Sequence, residues 1–277
     1  METRVKNLAK QALHAMGNTY LEEPFSVLAS SSSALRRFHN AHRGERCFII
    51  GNGPSINQMD FGLLENEYTF AVNGIFYKTK ENGFRPFYYV VEDYHVVRDN
   101  APSIRDYEPR QGGAKFLPAR FRHQFLRSQG DTYFLNMNRG FYEPRSAYYE
   151  TPRFSVDAAH NVYCGQSVTI VNLQLAYYMG FSEVYLIGMD FSYQIPTTAI
   201  KEGDVIESTE DDVNHFHPDY FGKGKKWHDP KLHNVLKSYQ LCKLMFELDD
   251  RKVFNATLGG KLEVFPRADF SSLFARE

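Results

Sequence analysis

The stretch Cys47-Phe48-Ile49-Ile50-Gly51-Asn52-Gly53-Pro54-Ser55-Ile56-Asn57 sets four apolar residues directly against a Gly-Asn-Gly-Pro-Ser loop. A short apolar run stopped by Gly and Pro predicts a buried strand that leaves into a tight loop. Gly51 and Gly53 let the backbone approach a ligand with no Cβ in the way, and Ser55 is placed to cap a following helix. Free N–H groups at that helix start would suit phosphate or nucleotide oxygens. A tight turn with no ligand uses the same residues equally well. The spacing is neither GxGxxG nor a P-loop, and Gly222–His228 (GKGKKWH) lacks the P-loop spacing and its Ser or Thr.

Working outward, the same pattern recurs. Apolar runs follow at 68–73 (YTFAVN), 86–93 (PFYYVVED), 114–119 (AKFLPA), 131–138 (DTYFLNMN), 183–191 (EVYLIGMDF) and 251–257 (RKVFNAT). Helical spacing separates some of them: residues 166–181 put Val168, Val171, Leu175 and Tyr178 on one face and stop at Gly180. Residues 229–250 predict a long helix with Pro230 in its first turn. Strands alternating with helices predict an α/β, Rossmann-like fold, a mostly parallel sheet with helices on both faces. Residues 46–277 read as that single domain, and 1–45 as a short helical extension that pads it or joins two copies as a homo-oligomer. Within the extension, 4–17 carries helical spacing and Ser30–Ser33 offers N-caps for a short basic helix.

In such folds ligands bind where strands end. Four exits are polar or glycine-bearing: Gly51–Ser55, Asn73–Gly74, Glu92–Asp93 and Asp190–Tyr193. Glu92, Asp93 and Asp190 suit Mg²⁺, a sugar hydroxyl or a helix cap. Residues 193–227, polar and rich in Gly, Pro and Asp, read as a lid-like loop. It holds the densest chemistry. His215, His217 and His228 are imidazoles, a side chain whose unperturbed pKa lies near working pH, so any could be a general base, and Tyr220 and lysines such as Lys226 could neutralise a phosphate. The His-x-His pair also invites zinc, but a third ligand has to be supplied from elsewhere; a solvated loop with incidental histidines is the plainer alternative.

Composition narrows the classes. With 32 Lys plus Arg against 33 Asp plus Glu, the net charge of −1 gives no bulk attraction for nucleic acid, though Lys223, Lys225 and Lys226 cluster locally. Three widely spaced cysteines argue against a disulfide framework and for a reducing, cytoplasmic setting. No apolar run reaches the roughly 18 residues of a membrane span, and no signal peptide is visible.

Together, FIIGNGPSI with MDFGLL, AVNGIF, residues 166–193 and the His-rich segment resemble the 6-hydroxymethylpterin-diphosphokinase-like family, whose stand-alone members often accompany polysaccharide synthesis. The order of elements is similar to the bacterial sialyltransferases of glycosyltransferase family 42, over about residues 36–270. That similarity implies inverting, metal-free transfer from a CMP-linked nonulosonic acid, so no cofactor is expected. It implies Asn52 and its glycines at the nucleotide and Asn73 at the nucleotide or donor; Gln166 and Ser167, where this chain departs from the sialyltransferases, are expected to add contacts at the helix start. His228 would be the base, and Tyr193 would hold the phosphate. The sialyltransferase asparagine after the third strand is Glu92-Asp93 here. Three readings follow: a glycosyltransferase using a nucleotide-sugar donor and a glycan or lipid-linked glycan acceptor in bacterial surface polysaccharide synthesis; a Mg²⁺-dependent diphosphokinase using ATP; and a non-catalytic nucleotide- or glycan-binding subunit.

Overall fold

The computed structural model describes residues 33–128 and 130–275. The amphipathic segment at 4–17 and Ser30–Ser32 lie outside the described residues. In chain order the elements are β1 (Arg46–Ile50), β2 (Tyr68–Val72), α1 (Phe76–Asn82), β3 (Tyr88–Val90), α2 (Tyr94–Asp106), β4 (Ala114–Pro118), β5 (Thr132–Leu135), β6 (Met137–Asn138), β7 (Val162–Tyr163), α3 (Val168–Met179), β8 (Glu183–Ile187), β9 (Ile200–Glu202), β10 (Val205–Glu207), β11 (Lys226–His228), α4 (Leu232–Glu247) and β12 (Lys252–Asn255).

Seven strands form one all-parallel sheet in the order β12-β8-β1-β2-β3-β4-β5. Alternation along β1 sends Cys47 and Ile49 into one apolar layer and Phe48 and Ile50 into the other. Both faces are covered, α3 and α4 on the first and α1 and α2 on the second. That is why the strands read as unbroken apolar runs and not as alternating ones.

The expected α/β architecture is therefore the observed one, with local differences. α3 is buried on every side and has no solvent face, because the sheet, α4 and the segment around residue 40 enclose it. Its polar side chains are used internally: Gln174 Oε1 accepts from Ser155 N and Tyr163 N, at 2.9 Å each. Gly180 (φ 90°) ends it in the left-handed region, where an L side chain would be strained. α4 begins at Leu232, so Pro230 precedes the helix; Asp229 Oδ1 accepts from Lys231 N at the entry. α2 kinks at Asn100, two residues before Pro102, whose ring cannot fit a straight helix.

The described part of the extension packs into the domain. Leu35 is in the core, and Asn40 N and His42 N donate to Tyr178 O and Met179 O at the end of α3. Cys47, Cys164 and Cys242 are free and buried. Among the described residues no helix is long and apolar enough to cross a membrane. The span 193–227 is not a plain loop. β9, β10 and β11 make a three-stranded antiparallel sheet over the carboxyl ends of the main strands.

Candidate active site

The chain runs from β1 to β5 on one side and places β8 and β12 on the other, so the strand order reverses at β1. The crevice beside the carboxyl ends of β1 and β8 is the topological switch point, where open α/β sheets bind ligands. A cavity of about 470 Å³ opens there, in the size range of small-molecule sites. Its floor is Gly51–Gly53, Asn73, Glu92–Asp93 and Gly188–Asp190; Gln166–Thr169 at the start of α3 form a wall. Tyr193, before β9, His215 and Tyr220, between β10 and β11, and His228, on β11, line it from the opposite side.

The glycines of the first exit serve a neighbour before any ligand. A Cβ on Gly53 would lie 1.8 Å from Asp190 Oδ2, and one on Gly51 would lie 2.4 Å from Gly188 O. They admit the β8 exit, and Gly53 N donates to Gly188 O. Pro54–Gln58 is only a five-residue 3-10 turn. Ser55 lies inside it and does not cap it, because Gly53 holds the cap position. Ser55 N and Oγ both donate to the Asp190 carboxylate, at 3.2 and 2.7 Å. The carboxylate thus sits where an incoming phosphate was expected, and it ties two strand exits together. Asp190 accordingly positions the loop, and its carboxylate is already engaged by Ser55 where the sequence left it to a Mg²⁺, a sugar hydroxyl or a helix cap.

What the loop leaves for a ligand is Asn52. Its Nδ2 donates to Val72 O (3.2 Å) and Tyr220 Oη (2.8 Å), and its Oδ1 is buried without a partner. Asn73, at the next exit with φ 47°, likewise carries an unpartnered buried Oδ1. Two orphaned amide oxygens in one cavity floor are costly unless a hydroxyl or amino donor meets them. Ser167 caps α3, accepting from Thr169 N, and turns the positive end of a twelve-residue helix to the cavity.

The remaining carboxylates are engaged. Asp93 caps α2 through Val96 N; Glu92 accepts from Tyr142 Oη (3.2 Å) and lies 3.7 Å from Arg139. Tyr142 in turn accepts from Gln166 N, and burial pushes its phenol well above the usual range. Lys231 bridges Asp204 (2.6 Å) and Glu150 (3.3 Å), and Lys201 pairs with Asp229 (2.7 Å). The hydrogen bond from Lys201 holds Asp229 below the ordinary carboxylate range. Among the described residues no three His, Cys, Asp or Glu side chains converge to hold a metal ion.

These ion pairs latch the small sheet to the start of α4. Its two chain connections are at Phe191 (φ 52°) and Lys231 (φ 38°), both non-glycine residues in the left-handed region. Exposed ion pairs contribute only about 0.2–1 kcal/mol each. Lys231→Met should therefore leave the unfolding temperature nearly unchanged while speeding tryptic cleavage at Lys223 or Lys225. Cleavage rates equal to those of the unchanged protein would show that Lys231 latches nothing.

The histidines part company. Phe216 N donates to Asn52 O, and Asn57 Nδ2 donates to Phe216 O. With that backbone pinned, His215 points into the cavity and His217 turns out to stack on Tyr77 of α1, at 4.4 Å. The two rings cannot share a zinc ion, and His217 is not a cavity residue. Lys226 also lies outside the cavity, facing its cross-strand partner Glu207 at 3.4 Å. Lys225 is spent on Tyr77 Oη and on lid carbonyls. Instead, Arg139 and Lys231 are the cations that line the cavity among the described residues. His228 does line it, exposed at the mouth, with its ring 4.6 Å from that of His95. Burial pulls the His95 pKa down, against the opposing charge of Asp93.

Arg139, Tyr142 and Lys231 were not among the expected site residues. The strand-exit rule applied to β6 would have reached the first two, since Arg139–Tyr142 leaves that strand. Lys231 carries no local signal.

The sequence profile of the 6-hydroxymethylpterin diphosphokinase MptE-like family matches residues 19–196. The chain belongs to this family. The match takes in β1 to β8 and the cavity floor, while the small sheet, α4 and β12 lie beyond it. Membership in the family thus bears on the fold and the strand-exit loops, and the family's description names a diphosphokinase. No curated protein matches the chain.

Proposed function

We propose that the protein is an inverting glycosyltransferase that uses a nucleotide-activated sugar, of the CMP-linked nonulosonic type, in surface-glycan synthesis. The observation that carries this reading is the switch-point cavity itself, with the unpartnered oxygens of Asn52 and Asn73 in its floor and two imidazoles, His215 and His228, in its roof. Amide oxygens suit the hydroxyl and amino groups of a nucleoside or sugar. The capped start of α3 suits one phosphate. Tyr193 also lines the cavity and offers a hydroxyl donor, while the Tyr142 proton is already given to Glu92. An acceptor hydroxyl, on a glycan or lipid-linked glycan, attacks the anomeric carbon while the carbon–oxygen bond to phosphate breaks. A roof imidazole takes the hydroxyl proton, and the small sheet keeps competing water away. The similarity to sialyltransferases supports the donor class and points to His228 as one of the two candidate bases.

The family's description favours a second reading, Mg²⁺-dependent pyrophosphoryl transfer from ATP. Under that reading one or two of the floor carboxylates Glu92, Asp93 and Asp190 would have to leave their present donors to meet a Mg²⁺ that keeps most of its waters, since among the described residues no three such groups converge as they stand. Calorimetric titration with CMP, CDP, UDP, GDP and ATP, each with and without Mg²⁺, separates the readings. CMP binding that ignores Mg²⁺ is the expected result. Binding of ATP alone, and only with Mg²⁺, would replace glycosyl transfer by the kinase; CMP binding without turnover of any CMP-sugar would leave a binding subunit.

A further inference from the structure

We infer that His215, oriented by Asp212, is the general base of the site, and that His228 is not. The inference rests on the glycosyl-transfer reading. His215 Nδ1 lies 2.7 Å from Asp212 Oδ2. That carboxylate is almost fully enclosed and is held by two further donors, Asn214 N at 2.8 Å and Phe221 N at 2.9 Å. Burial alone would raise the Asp212 pKa, but the bonds from His215 and the two backbone N–H groups bring it below the usual range. Asp212 is therefore an anion that only accepts. It holds the proton of His215 on Nδ1 and leaves the Nε2 lone pair free, the arrangement a base needs.

The ring is fixed as well as polarised. It stacks face to face on Tyr220 at 4.2 Å and 5°, and Phe221 packs on its edge. Tyr220 Oη is itself bonded to Asn52 Nδ2, so the base is tied to the floor loop that would hold the donor. On its open side Nε2 faces the hydroxyl of Tyr193 at 3.5 Å, a loose contact that an acceptor hydroxyl can replace. His228 has none of this support. It is exposed on β11, and its ring neighbour is another imidazole, His95, so a proton taken there gains no carboxylate.

In the step, the acceptor O–H bond breaks and its proton forms a new N–H bond at His215 Nε2. The oxygen's electron pair makes the bond to the anomeric carbon, and the pair of the cleaved carbon–oxygen bond leaves with the nucleotide phosphate. Asp212 stabilises the imidazolium. The titratable groups facing His215 are Asp212 and Tyr220 on its own segment and Tyr193 from the segment that precedes β9.

Three variants, His215→Gln, Asp212→Asn and His228→Gln, test this with CMP-N-acetylneuraminic acid as donor and lactose as acceptor, alongside CMP affinity by calorimetry. His215→Gln should lower kcat by about 10²–10⁴-fold with CMP affinity within about twofold, and His228→Gln should cost less than about tenfold. The near-isosteric Asp212→Asn should fold and should shift the acid limb of the pH–rate profile to lower pH, because an imidazolium without its carboxylate loses its proton more readily. The reverse ranking of the two histidines would overturn the inference. Nitrogen-15 NMR of labelled histidine gives a readout that needs no donor. In its neutral form His215 should carry its proton on Nδ1, and a neutral ring with the proton on Nε2 would overturn the assignment even if no nucleotide binds. Loss of all nucleotide binding by the unchanged protein, with the expected tautomer present, would instead count against glycosyl transfer.

Discussion

Gly188→Ala should destabilise the protein by about 2–5 kcal/mol. Two costs combine at this position. Gly188 has φ +68°, a left-handed conformation that costs an L residue roughly 1–2 kcal/mol. A Cβ there would also lie 2.4 Å from Ile56 Cγ2 and 2.8 Å from Gly51 O, an overpacking that costs about 1–3 kcal/mol. For a domain of this size the unfolding temperature should fall by roughly 4–10 °C. Because the clash pushes β8 away from the β1 exit, nucleotide affinity should fall with it. Gly203→Ala isolates the backbone cost: φ is +59°, but no atom lies within 4 Å of the added Cβ. Scanning calorimetry of both variants decides the matter. Equal losses would mean that the contact between the two exits contributes nothing.

A second expected result concerns pH. Lys115 lies on β4 with no exposed surface, and its Nζ donates to Ile104 O and Arg105 O at the end of α2. The helix carbonyls welcome a cation, but burial dominates and pulls its pKa from 10.5 to about 8, against the attraction of Asp106 and Glu108. Below about pH 8 the lysine is charged in both the folded and unfolded chain, and the fold carries the full desolvation cost. Between about 8 and 10.5 the unfolded chain binds a proton that the folded chain does not, so stability rises with pH. Over about pH 7 to 9.5 this gain should be about 1–2 kcal/mol. Urea unfolding of the unchanged protein and of Lys115→Met at both pH values isolates the effect. The difference between the two proteins should move in favour of the lysine as pH rises. A difference that stays constant would show that the ammonium is adequately solvated in the fold.

Much of this architecture was legible from one chain. The runs at Cys47, Tyr68, Tyr88, Ala114, Thr132, Glu183 and Lys252 all became strands of the main sheet. Gly180 ends its helix as expected. α1 and α2 were not read as helices: α1 is seven residues long, and α2 is broken at Asn100. The small sheet escaped because its strands are only three residues long, too short for an apolar period to be detected. Strand exits did bring Asn52, Asn73, Glu92, Gln166 and Tyr193 to one cavity. Their roles within it were harder to read. Ser55 and Asp190 lie 135 positions apart, and nothing near either shows that they bond to each other.

The sequence by itself determined the class of fold and the neighbourhood of the site. Burial of alternating strand and helix segments is a local pattern, and a parallel sheet sends every strand exit to the same edge. Only the tertiary structure decided which exit residues keep an unpartnered polar atom in the cavity lining. That depends on long-range partners: Asp190 is consumed by Ser55, while Asn52 keeps an oxygen free. The same holds for His215 and His217, chemically identical and two residues apart. One was turned to Asp212 and the other to Tyr77 because Phe216, between them, is hydrogen-bonded to a loop more than 150 residues earlier in the chain.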